Sequence, residues 1–375
     1  MKIQGIHRVI KTSRGVVCLL MGFMTTLSMN AQQMTNTDTH SQYIMAVDEY
    51  VPAPGQWINV LPLHEAGDDA ATMARKCTEC LAANQRTLVS LGGYGGYITF
   101  HFDHSIANIK GMRDFLIEGN AFQGDATTLA GGSAEPGIVM VSKDINHNGR
   151  PDDPWYELSG SADVDSIGKL VFGYEITYRQ APLQDIPWSD NQGGSGLIER
   201  LEKPEYRIYN HTQEYYPLWL PDALTFHGTL LPPNGIDTSG RGIYWVQTFL
   251  REGYVDNKPN ADKEANSFDI GWAVNEQRQF VDLDFIDFVR VYTAVNQFCG
   301  RIGETSTEII GAKDLHLNES VDRIREAITG ICQVSVANAT IIGYYSTEGK
   351  CIAAPRRGLN LLRMSDGTTR KVIIQ

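Results

Sequence analysis

The sequence predicts an all-β protein, an antiparallel sandwich. From residue 86 onward, short apolar or alternating runs are separated by Gly, Asn, Asp and Pro, the punctuation of strands and turns. Glycine is abundant (36, against 15 Pro), and 16 Tyr and 6 Trp accompany it, a mixture suited to short strands and aromatic-lined surfaces. A single clear helical stretch, residues 68–83, precedes residue 318. Strands without alternating helices argue for sheet packed on sheet.

The strand candidates, in order, are residues 86–91, 97–103, 114–118, 137–142, 155–159, 171–178, 223–228, 243–249 and 285–292. In residues 97–102, Ile98, Phe100 and Phe102 share one face, because side chains alternate along a strand. In residues 286–291 the same rule puts Ile286, Phe288 and Arg290 on one face and Asp287, Val289 and Val291 on the other, a less cleanly buried strand. No fixed-period repeat is present, which counts against a propeller or solenoid. The helical stretch carries Cys77 and Cys80 as a C-x-x-C, but no second pair and no nearby histidine pair completes a metal site, so a structural disulfide or free thiols are expected.

The expected organisation is a leader (1–31), an N-terminal extension with one short helix (32–85), the sandwich (86–317), a helical linker (318–338) and a small C-terminal β segment (339–375). Lys2, Arg8, Lys11 and Arg14 precede a 15-residue apolar run, residues 15–29, and no acidic residue occurs before Asp38. A membrane span needs about 20 apolar residues. With Ala31 as a plausible cleavage point, this pattern reads as a secretory signal peptide; a short buried helix is the alternative. Cys18 lacks a convincing lipid-attachment context. Removal of 1–31 leaves 28 basic against 44 acidic residues, a net charge of -16. That balance argues against a nucleic-acid or anionic-membrane partner. Five cysteines then remain, an odd count that cannot pair fully within one chain.

The run Ser90-Leu91-Gly92-Gly93-Tyr94-Gly95-Gly96-Tyr97-Ile98-Thr99-Phe100 is followed by Asp114-Phe115-Leu116-Ile117-Glu118-Gly119-Asn120-Ala121-Phe122. Then come Glu135-Pro136-Gly137-Ile138-Val139-Met140-Val141-Ser142 and Asp287-Phe288-Val289-Arg290-Val291-Tyr292. In order and spacing, across about residues 50–317, this resembles a family of secreted cell-surface proteins of the Bacteroidetes, and more distantly jelly-roll modules of the galactose-binding-like kind. The resemblance implies a jelly-roll sandwich and a location outside the cell or on the outer-membrane surface. It implies no particular activity, since jelly rolls host many functions.

The most specific chemical motif is Asp144-Ile145-Asn146-His147-Asn148-Gly149-Arg150-Pro151-Asp152-Asp153. Oxygen side chains at alternate positions can converge on one hard cation, and Gly149 permits the sharp turn between them. Asp144, Asn146, Asn148 and Asp152 are the candidate ligands, with Asp153 or the Arg150 carbonyl in addition, and calcium in a structural role is the expected ion. The position where an EF-hand carries its bidentate Glu is Trp155, so this would be a single calcium loop between strands; the alternative is a bare hairpin turn built from the same residue types. A second polar stretch, residues 254–262, offers oxygens at Asp256, Asn257, Asn260 and Asp262, with Asp269 following; its composition reads as a solvated loop.

Trp155, Tyr156, Trp188, Tyr215, Tyr216, Trp219, Trp245 and Trp272 fall at strand ends or in loops. A flat ring there can stack on a sugar or other planar ligand while neighbouring amides fix its hydroxyls. The loop Trp188-Ser189-Asp190-Asn191-Gln192-Gly193-Gly194-Ser195-Gly196 supplies a ring, polar side chains and open backbone together. Tyr94, Trp188, Asp190, Asn191, Gln192, Trp219 and Trp245 are therefore the candidate ligand contacts; burial in the sandwich core is the competing role for each ring.

No G-x-S-x-G nucleophile elbow and no H-E-x-x-H zinc motif occurs, and the histidines are scattered singly. Glu118, Glu135, Glu304 and Glu308 are candidate carboxylates for a glycosidase-type pair, with nothing in the sequence to select among them. The expected function is thus binding: capture of a glycan or other small nutrient, with a carboxylate-dependent glycoside hydrolase as the alternative, and a non-sugar nutrient such as a corrinoid as a variant. An outer-membrane uptake receptor is a possible partner for such a protein.

In the tail, Val321, Ile324, Ile328 and Ile331 form a helical stripe over residues 318–332. Strands at 340–345, 358–364 and 369–374 follow, with turns at 346–350 and 366–367. About residues 339–375 resemble the C-terminal sorting domain of the type IX secretion system, which implies that machinery as a partner. A plain C-terminal hairpin is the alternative.

Overall fold

The computed structural model describes residues 40–124, 129–165, 168–201, 213–322, 341–346, 350–364 and 369–374. The leader, most of the linker stripe and the 366–367 turn lie outside the described residues.

Alternating apolar residues assemble a six-stranded antiparallel sheet in the order Ala46–Val51, Tyr97–Ala107, Phe285–Thr293, Gly137–Ser142, Trp155–Leu158, Ala273–Val274. Both of its faces are covered. Ile98, Phe100, Phe102, Val139, Val141, Val289 and Val291 enter one apolar cluster. That cluster also takes Met73, Cys77 and Leu81 from the helix Ala70–Leu81, and Phe115, Ile117 and Phe268 from a three-stranded sheet of Ser267–Phe268, Phe115–Glu118 and Gly311–Asp314. On the other face, Ile138, Met140 and Tyr292 meet Tyr174, Ile176, Tyr178, Leu224 and Phe226. These belong to a four-stranded sheet of Ser195–Ile198, Ile186–Asp190, Val171–Arg179 and Ala223–Leu230. Each fully buried aromatic or aliphatic side chain contributes about 1.5–3 kcal/mol. The protein is an all-β sandwich of several antiparallel sheets, and among the described residues none closes into a barrel.

The faces of residues 285–292 differ from strict alternation. The register slips between Ile286 and Phe288, where the strand pairs with Tyr97–Ala107. One extra residue flips every side chain beyond it to the opposite face. Ile286 therefore joins Val289 and Val291 in the first cluster, and Phe288 sits edge-on to His101 on the other face.

The helix begins where Asp69 accepts the Thr72 amide at 2.8 Å, an N-cap bond. Met73, Cys77 and Leu81 follow at fourfold spacing and are buried. Cys77 and Cys80 are free thiols on this helix, which settles the sequence alternatives in favour of no disulfide between them.

Several strands were not evident from the sequence, among them Ala46–Val51, Gly311–Asp314, Ile186–Asp190 and Ser195–Ile198. The last two convert the expected Trp188–Gly196 ligand loop into a hairpin. Residues 317–322 are helical, and the remainder of the predicted stripe falls outside the described residues. The C-terminal strands form a sheet of their own: Cys351–Ile352, Ile341–Tyr345, Gly358–Met364 and Thr369–Ile374. Among the described residues, no helix is long and apolar enough to cross a membrane.

Candidate functional site

A cleft of about 520 Å³ opens between two small sheets. One is the four-stranded sheet of Gly235–Asp237, Trp245–Thr248, Gly131–Ser133 and Phe122–Gln123. The other pairs Glu308–Ile309 with Val89–Ser90. Trp57, Phe122, Tyr244 and Trp245 line it, with Phe122 and Tyr244 exposed at its rim. Gln56, Glu135, Gln247, Glu304, Ser306 and Glu308 also line it. Glu304, Ser306 and Glu308 are alternate residues of one segment, so the period of extended chain brings all three to one side.

The polar groups of this cleft are held by neutral donors, mostly main-chain amides, rather than by opposite charge. Glu304 accepts the Gln56 amide at 2.7 Å, and Gln56 Nε2 donates to the Ile302 carbonyl at 2.8 Å. Glu135 accepts the Ser306 amide at 3.2 Å and Gln247 Nε2 at 3.4 Å. Glu308 accepts the Ser90 hydroxyl at 3.0 Å. Behind it, Asp256 is 1 % exposed and accepts three amides, from Asn120 (2.6 Å), Ala121 (2.7 Å) and Glu308 (2.9 Å). None of these four carboxyls forms an ion pair with a lysine, arginine or histidine among the described residues.

Their protonation follows from that isolation. Burial raises the Glu135 carboxyl to about 8, with Asp256 and Glu304 adding like-charge repulsion. Burial raises Glu304 to about 7 and Asp256 to about 7. Glu308 is raised strongly, by burial first and then by Glu135 and Asp256. Three amides stabilise the Asp256 anion, so within the Asp256–Glu308 pair the proton resides on Glu308.

Among the described residues, four buried polar atoms of the cleft residues have no hydrogen-bond partner: Gln56 Oε1, Gln247 Oε1, Glu304 Oε2 and Trp245 Nε1. Three are acceptors and one is a donor. Each buried unpaired group costs about 1–3 kcal/mol, so a ligand that supplies the missing partners gains that much from the protein side.

No protein-family model matches this chain, and no curated protein matches it. The site therefore has to be interpreted from its own residues.

Of the sequence-predicted ligand contacts, Trp245 alone lines this cleft. Tyr94 is a correction: it is fully buried, edge-on to Tyr174 at 4.9 Å and to Tyr292 at 6.3 Å, because the glycines around it turn it into the second core cluster. Trp219 is half-buried, stacked between Tyr50 and His64 at 5.7 and 5.4 Å. The Trp188 indole lies against Gly196 across the hairpin, where any added Cβ would strike it. Asp190 braces that hairpin by accepting the Gln192 and Gly194 amides and the Tyr174 hydroxyl. Asn191 and Gln192 are exposed at its turn. The structure thus does not assemble these seven residues into one face.

The acidic loop is hydrogen-bonded within itself. Asp144 accepts the Asn148 and Gly149 amides, and Asn146 and Asn148 side-chain amides both donate to Asp152. Asp153 accepts the Ile145 and Asn146 amides. All five predicted ligands thus hydrogen-bond within one exposed loop, Asn146 and Asn148 turning their oxygens to main-chain amides and their NH2 groups to Asp152.

The expected solvated loop at 254–262 is also corrected in its first half. Asp256 and Asn257 are buried, and Asn257 bonds both the amide and the carbonyl of Leu250. Asp256 adopts φ +54°, a left-handed conformation that Asp tolerates better than most residues. Of the four candidate glutamates, Glu135, Glu304 and Glu308 share the cleft, whereas Glu118 lies elsewhere, paired with Arg86 and Lys263. Sequence reasoning missed Gln56, Trp57, Phe122, Tyr244, Gln247 and Asp256. The available signal was Glu304-Thr305-Ser306-Thr307-Glu308, a strand-like run with no apolar residue on either face.

Proposed function

We propose that this chain is a binding protein whose cleft takes a small, hydroxyl-rich molecule, a glycan or comparable nutrient. The observation that supports this reading is the cleft of about 520 Å³ in which the rings of Trp57, Phe122, Tyr244 and Trp245 stand beside the polar side chains of Glu135, Glu304 and Ser306. Sugar hydroxyls donate to such side chains, and sugar ring faces stack on indoles. The oxygen-rich, internally bonded 144–153 loop supports calcium as a stiffening ion outside the cleft. The basic, apolar N-terminal segment supports secretion, and the two resemblances support display on a Bacteroidetes cell surface through type IX sorting, next to an uptake receptor. Titration calorimetry against a glycan panel tests the reading. Wild type should bind at least one class, and Trp245→Ala should lose it while Trp188→Ala keeps it. Binding lost equally in both variants, or no binding to any polyol, would end it.

One observation favours a second reading, a carboxylate-dependent hydrolase. Glu135 and Glu304, raised to about 8 and about 7, are acids with protons to donate near neutrality. Product formation abolished by Glu135→Gln, with binding retained, would establish it.

A further inference from the structure

Asp256 and Glu308 lie side by side beneath the cleft, and Glu135 completes a triangle with them. One carboxylate oxygen from each lies within 4.8 Å of the other two. A calcium ion holds oxygens at about 2.4 Å, so ligands on opposite sides of it stand about 4.8 Å apart. Separations within that limit let all three oxygens close on one ion of that size with side-chain shifts of a few tenths of an ångström.

The acidic cluster is not the whole argument. Gln247 is 1 % exposed, and its Nε2 contacts Glu135. Its Oε1, on the same terminal amide, has no partner among the described residues. Glu304, 3 % exposed, leaves Oε2 equally unpartnered in the same cleft. Buried acceptors are normally satisfied. Here neutral and acidic acceptors accumulate together with no lysine, arginine or histidine among the described residues to answer them. A hard cation answers carboxylate and amide oxygens alike, and calcium takes both as ligands.

We propose that Glu135, Asp256 and Glu308 bind a divalent cation of calcium size at the base of the cleft, with Gln247 Oε1 as a neutral fourth oxygen. This site is distinct from the 144–153 loop and does not depend on the identity of the cleft's organic ligand. Asp256 keeps its three amide bonds while coordinating, since each carboxylate oxygen has two lone pairs.

The test uses the full chain, with calcium measured by calorimetry and terbium by luminescence excited through tryptophan. Trp57 and Trp245 line the cleft and serve as antennae. Asp144→Ala removes the exposed loop from the count. In that background, one equivalent of calcium should still bind, with tryptophan-sensitised terbium emission. Glu135→Gln or Glu308→Gln added to it should weaken binding at least tenfold. Both substitutions keep the shape of the side chain and remove repulsion, so a melt no lower than the parent's shows that the fold is retained. A third variant, Gln247→Leu, should weaken binding by a smaller factor. An Asp144→Ala protein that binds no calcium and no terbium overturns the proposal. So does binding that both glutamine variants leave unchanged.

Discussion

Asp256 grips Glu308 by its main chain, Oδ2 accepting the Glu308 amide at 2.9 Å, while Oδ1 accepts the amides of Asn120 and Ala121. One side chain thus ties the 254–257 segment to both walls of the cleft. Gly119 makes this approach possible, because a Cβ there would overlap the Asp256 carboxylate.

Asp256→Ala should destabilise the protein by about 3 kcal/mol or more, because three buried amides lose their acceptor at once. Asp256→Asn, which keeps one acceptor oxygen, should cost less. Gly119→Ala should cost about 1–3 kcal/mol through overpacking alone. Urea titrations of the three variants check the order.

His104 is expected to hold the N-terminal edge together. Its side chain is fully buried between Asp103 (2.7 Å) and Asp314 (2.8 Å), and the Asp314 side chain is fully buried as well. Removing the imidazole strands a buried carboxylate, so His104→Ala should cost about 3–5 kcal/mol. A double-mutant cycle with Asp314→Asn should show strong coupling; additive losses would contradict the pairing.

Stability should fall as pH rises from about 4 to about 8 in chelator. Burial raises Asp114 to about 6 and Glu304 to about 7. Each carboxyl binds its proton more tightly in the folded chain than in the unfolded one. Its stabilisation is therefore complete below the unfolded value near 4 and lost as pH rises through the folded value. His104 acts in the same sense: burial alone would lower its pKa, but the bonds to Asp314 and Asp103 raise it on balance. Melting temperature should be higher at pH 5 than at pH 8, by roughly 2–4 °C for each kcal/mol involved. Glu304→Gln should flatten the upper part of the curve by raising the melt at pH 8.

Calcium should raise the melting temperature, and Asp144→Ala should remove the share contributed by the exposed loop. A melt indifferent to EDTA in the wild type would remove calcium from the 144–153 loop and from the cleft together.

Thiol accessibility should follow burial. Cys351 is exposed, whereas Cys77 and Cys299 are buried with thiols pushed up, Cys299 to about 12. A short iodoacetamide pulse followed by peptide mapping should label Cys351 first and Cys77 only on unfolding.

Local pattern in the sequence was enough for the class of fold. Ile98, Phe100 and Phe102 alternate, and a period of two places them on one face wherever the strand pairs. The helix, expected over 68–83 and found at Ala70–Leu81, was equally plain, because its apolar spacing is local. The turn that links Asp144, Asn146, Asn148 and Asp152 by hydrogen bonds was legible for the same reason: all its contacts are local. What the tertiary structure alone decided is which distant residues meet. Glu135 reaches Ser306 across 171 positions, and Gln56 reaches Glu304 across 248. Burial depends on what packs overhead, which no local window contains. That is why Tyr94, a surface candidate by its glycine context, lies in the core, and why Asp256, solvated by its composition, underlies the cleft.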